Sequence, residues 1–107
     1  MMDRGNVYWV DLNPTIGSEI NKLRPCVLVG ATPINQARRT VVVVPLSTVA
    51  KERPPLTISC SVLEKNVVAV CDQIRAIDKG RLKKSAGKLS HEDMRRLDDV
   101  LKKVLSL

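Results

Sequence analysis

The sequence predicts a mainly β domain with some α structure: a small, strongly curved β-barrel with a C-terminal amphipathic helix packed on it. Short runs of β-branched residues recur along the first two thirds of the chain, and Pro, Gly and Asn punctuate them at close intervals. Helical periodicity is sustained only at the C-terminal end. A chain of 107 residues fits one domain, 1–107, and has no spare length for a second core.

Residues 6–12, NVYWVDL, alternate well enough for a first strand, ended by Asn13-Pro14. A polar loop over 13–23 follows. PCVLVGA at 25–31 and TVVVVP at 40–45 are continuous apolar runs of the kind that fill the middle of a sheet. PINQARR between them has room for a turn or one helical turn. After the break at Arg53-Pro54-Pro55, residues 56–61 and 67–71 read as two strands joined through Leu63-Glu64-Lys65-Asn66, with 74–77 as an alternating continuation of the second. KGRLKKSAGK, 79–88, fits a turn, a helix or an edge strand. Ser90 with Asp93 three residues on marks a helix start, and Met94, Leu97, Leu101, Val104 and Leu105 then recur at three and four.

Composition narrows the function classes. No charged leader precedes an apolar core and no apolar run exceeds a few residues, so neither export nor membrane spanning is expected and a cytoplasmic location follows. Cys26, Cys60 and Cys71 are odd in number and each lies in an apolar segment, which suits buried reduced thiols rather than a disulfide framework. With a single histidine, neither a metal cluster nor any other cofactor is expected. A net charge of +7 favours an acidic partner, either nucleic acid or an acidic protein. Tyr8 and Trp9 are the only aromatics, which argues against a reader that stacks bases on several rings.

Three stretches are candidates for chemistry. In GSEINKLRP, 17–25, Arg24 precedes a proline, which pushes its backbone towards the extended region and seats it at the start of a strand. Its guanidinium is then a rigidly based fork suited to a phosphate, or else a structural partner of Glu19. In PLST, 45–48, an apolar strand ends in two hydroxyls, read either as a plain turn or as working side chains fixed by the scaffold. In CDQIRAID, 71–78, the polar cluster is a structural knot, a substrate contact, or both. His91 falls at the start of the terminal helix, where a solvated capping position excludes it from the candidates.

Taken in order, RGNVYWVDLNPTIGSE, RPCVLV, VVVVPLST and VCDQIRAIDKGRL resemble the MazF/PemK family of bacterial toxins, over nearly the whole chain. The resemblance implies an SH3-like barrel shared with the CcdB toxin, a homodimer, and metal-independent cleavage of single-stranded RNA. It also implies a cognate antitoxin whose acidic, disordered tail occupies the RNA groove. Arg24 matches the family's catalytic arginine, and Ser47 falls where the family has a catalytic threonine, with Thr48 as the alternative if the register shifts by one. Ser18 and Glu19 match an RNA-contacting loop, in which some PemK-type members carry histidine before the glutamate. Asp72 and Gln73 match a polar pair of the active site; members with that pair also have an arginine two residues before the aspartate, where this chain has Val70. The implied reaction leaves 2′,3′-cyclic phosphate and 5′-hydroxyl ends and arrests translation. The alternatives are a non-catalytic CcdB-like poison of gyrase and an SH3-like module that binds RNA without cutting it.

Overall fold

The strand Thr40–Ser47 (β3), TVVVVPLS, is the hub on which the other strands are assembled. Its β-branched run favours the pleated conformation, and burial on both faces removes the need for a polar side. The structure, a computed structural model, describes residues 2–107. Ahead of β3 come β1 (Asn6–Asp11), β2 (Leu23–Leu28) and a short helix α1 (Thr32–Ala37). After it come β4 (Thr57–Val62), β5 (Lys65–Val70), β6 (Arg75–Asp78), β7 (Leu82–Lys88) and the long helix α2 (His91–Leu105).

The sheet is antiparallel and runs β4-β5-β3-β2-β1-β7, with β6 also paired to β3. It curls until Gly87 of β7 approaches Val62 and Leu63 at the tip of the β4–β5 hairpin. The barrel-like, mainly β architecture read from the sequence is therefore present. Most strand positions agree within two residues, β3 running on to Ser47 and β2 beginning at Leu23.

Residues 74–77 do not continue β5. On one edge of β3, Leu46 and Ser47 pair with Ala69 and Val68 of β5, whereas 40–43 pair with β6. Between Leu46↔Ala69 and Val43↔Arg75, three steps along β3 correspond to six along its partner, so three residues are extruded as the 3-10 turn Cys71–Gln73. Pro45 lies at this break, where its missing N–H deprives the ladder of nothing. The stretch 79–88 resolves into a 3-10 turn, Lys79–Arg81, and the edge strand β7. The β4–β5 turn is tighter than the expected four residues, because Val62 pairs with Lys65 and only Leu63 and Glu64 lie outside the ladder, at φ +50° and +62°.

One core cluster, including Val27, Val44, Leu46 and Ala69, is covered by α2 through Leu97, Val100 and Leu101. The second, including Val10, Cys26, Leu28 and Ile77, fills the opposite side of the sheet. Ser90 caps α2 by accepting the Asp93 N–H at 3.1 Å, as its sequence pattern indicates. Leu105, assigned to the apolar stripe, is instead 47% exposed, whereas Val104 beside it packs on the core and Val100, outside the expected stripe, is buried.

Candidate nucleolytic site

Arg24 and Ser47 lie just beyond the last paired residues of the β2–β3 ladder and line one groove. Leu28, Val27 and Cys26 face Val43, Val44 and Pro45; past that pair Arg24 stays with β1, while Leu46 and Ser47 turn to β5. Arg24 is the second residue of β2, and its Nε donates to the Asn21 carbonyl at 3.1 Å. The expected alternative, pairing with Glu19, is not realised: the Glu19 carboxylate accepts the Ile16 N–H at 2.6 Å within its own loop. The forked end of Arg24 has no hydrogen-bond or ion-pair partner among the described residues.

Ser47 is 5% exposed, and its Oγ accepts from the N–H groups of Val49 and Ala50 at 3.2 and 3.0 Å. With those lone pairs engaged, the hydroxyl proton is what Ser47 has left to give. Thr48 is one residue on and so faces the other way, into an apolar cleft beside Trp9 and Leu63. Strand parity thus sends the two hydroxyls into different hollows, although Arg24 borders both.

Arg24 and Ser47 open onto a groove of about 570 Å³, and Asp72 and Gln73 reach it from the 3-10 turn extruded beside Pro45. Gln73 is committed to the loop that precedes β2. Its Oε1 accepts the Ile20 N–H at 2.7 Å and its Nε2 donates to the Ser18 carbonyl at 3.4 Å. Asp72 has no such commitment among the described residues. The strap made by Gln73 divides the groove from an adjoining cavity of about 470 Å³, where Ser18 and Glu19 lie beside Asp72 and Arg75. Six of the seven sequence-derived site residues therefore border two connected hollows, and Thr48 is the exception.

Two cations escaped the sequence reading. Lys51 and Arg53, from the β3–β4 loop, line the same groove as Arg24. The only sequence signal was that Arg53, like Arg24, precedes a proline. Thiol chemistry has no part here: burial pushes Cys26 up to about 12, against the opposing charge of Arg75, and likewise Cys60 to about 11 and Cys71 to about 12. All three are free and buried, as expected, and protonated at neutral pH.

The chain is similar to known proteins in both sequence and fold. The family model "PemK-like, MazF-like toxin of type II toxin-antitoxin system" matches residues 3–105. The chain is 37% identical over 116 aligned positions to Endoribonuclease MazF9 of Mycobacterium tuberculosis (strain ATCC 25618 / H37Rv), covering 100% of this chain and 98% of that protein. Its fold matches MazF (Form-I) from Deinococcus radiodurans with a TM-score of 0.88 at 20% identity, over 98% of this chain and 96% of that one. It also matches a mycobacterial endoribonuclease solved in complex with its cognate antitoxin, with a TM-score of 0.83 at 23% identity over 98% and 95% of the two chains.

Proposed function

The chain belongs to the PemK-like, MazF-like toxins of type II toxin-antitoxin systems, and from that premise we propose that it cleaves single-stranded RNA at a defined sequence by attack of the substrate's own 2′-hydroxyl. It is an endoribonuclease of the MazF type; what the proposal adds is the chemistry and the residues. The observation that carries it is that Arg24 and Ser47, each just beyond the end of the β2–β3 ladder, line one open groove.

The 2′-oxygen attacks the adjacent phosphorus, the bond to the 5′-oxygen breaks, and 2′,3′-cyclic phosphate and 5′-hydroxyl ends result. Because the nucleophile belongs to the substrate, no metal-bound hydroxide has to be generated. The step needs stabilisation of the phosphorane oxygens, an acceptor for the 2′ proton and a donor for the 5′-oxygen. Arg24 supplies the first: an arginine keeps its charge at any accessible pH and pairs with two oxygens at once. Ser47 donates to the same phosphate, and the departing 5′-oxygen takes its proton from water in the open groove. Asp72, the carboxylate of the groove, which has no hydrogen-bond or ion-pair partner among the described residues, accepts the proton. Glu19 and Gln73 act as positioning residues that hold the loop 16–20, and Ser18 flanks the path of the RNA.

The cognate antitoxin is expected to present an acidic disordered segment, to which a net charge of +7 is complementary. Two copies are expected to pair, which would add cover to a core built from only 107 residues. Labelling the cleavage products tests the chemistry. New 5′ ends that accept phosphate from a polynucleotide kinase without prior dephosphorylation are expected; 5′-phosphate ends would exclude 2′-hydroxyl attack.

A further inference from the structure

We propose that Arg53 is a second phosphate contact, which holds the RNA backbone next to the cleaved linkage and sets affinity rather than rate. The inference rests on the endoribonuclease reading of the groove but concerns a residue outside the motifs that support it. The backbone of Arg53 is held on both sides of its Cα. Its N–H donates to the hydroxyl of buried Thr57 at 2.6 Å, and its carbonyl accepts the Leu56 N–H at 2.8 Å. The Leu56 carbonyl in turn accepts the Cys71 N–H at 3.1 Å, which ties the loop to the 3-10 turn bearing Asp72.

On this fixed base the guanidinium has no hydrogen-bond or ion-pair partner among the described residues. The neighbouring Glu52 does not neutralise it, because that carboxylate accepts the Ser59 N–H at 3.2 Å on the edge of β4. Arg24, Lys51 and Arg53 thus oppose Asp72 alone in lining the groove, a surplus of positive charge suited to more than one phosphate. An arginine fork binds such a group directionally, whereas Lys51 contributes a mobile point charge.

The test compares wild type with Arg53→Gln and Arg53→Lys, in two assays. In the first, binding of a fluorescein-labelled mixed-sequence single-stranded RNA is followed by anisotropy across a salt series. Loss of one phosphate contact is expected to reduce the slope of log affinity on log salt by about 0.7 in Arg53→Gln, with the slope restored in Arg53→Lys. In the second, cleavage is measured on an RNA that the wild type cuts. The loss in Arg53→Gln is expected to fall in KM, about fivefold, rather than in kcat. An unchanged salt slope, or a loss confined to kcat, would overturn the inference. Failure of the wild type to cut any RNA would overturn the endoribonuclease reading instead, and the binding assay would still judge Arg53.

Discussion

Arg24→Ala is expected to lower cleavage by about a hundredfold or more while leaving the thermal midpoint within a degree or so, since one preorganised donor is lost and a side chain with a single loop contact is removed. Arg24→Lys is expected to recover little, because an ammonium does not reproduce the fork. Ser47 behaves differently. Ser47→Ala strips two backbone N–H groups of their acceptor as well as the phosphate of a donor, so both activity and stability are expected to fall, the latter by about 1–2 kcal/mol. Ser47→Thr keeps the hydroxyl and is expected to retain most activity; a complete loss would show that the position has another role. Their placement was legible in the sequence because each stands at a terminus of an apolar strand, whereas the roles proposed for them came from the family resemblance. Lys51 and Arg53 were not, since the course of their loop is set by the Thr57 hydroxyl and the Leu56 N–H, contacts that no local pattern announces.

Among the elements, the β4–β5 hairpin turns on two non-glycine residues with positive φ, an arrangement that glycine tolerates better. Glu64→Gly is expected to stabilise the protein by about 0.5–1 kcal/mol, which thermal or denaturant unfolding would register as a raised midpoint. An unchanged or lowered midpoint would show that the turn is not strained. Gln73→Leu removes the strap between the 3-10 turn and the loop before β2, so faster hydrogen exchange is expected at Ile20 together with reduced cleavage. Strands and helix were legible because period two and period 3.6 are local properties of sequence. The interruption between β5 and β6 was not, because it arises from a three-residue change in their register against β3, a long-range pairing that the alternation of 74–77 conceals.

At the scale of the whole molecule, the buried thiols dictate how stability depends on alkaline pH. Each has its pKa raised in the folded chain, from 9.0 to about 12 for Cys26 and Cys71 and to about 11 for Cys60. Between the unfolded and folded values the native state binds more protons than the unfolded state. The thiol contribution is therefore fully present below about pH 9 and lost as pH rises towards 12. Iodoacetamide at pH 8 is expected to leave all three cysteines unmodified until denaturant is added; rapid labelling of the native protein would contradict their burial. Sedimentation across micromolar concentrations is expected to give the mass of a dimer, and a monomer throughout would refute the proposed pairing. Composition announced the overall charge, but only the fold concentrates three of its cations around one groove.

The central claim is that Arg24 and Ser47, lining one groove beyond the end of the β2–β3 ladder, form a site that cuts RNA without a metal. It is tested most directly by incubating the antitoxin-free protein with a long defined RNA in excess EDTA and mapping new 5′ ends by primer extension, with Arg24→Ala in parallel. Discrete cuts at one short recurring sequence, absent from the equally stable variant, are the expected result. Wild-type cleavage by Arg24→Ala, or cuts that vanish in EDTA, would contradict the claim.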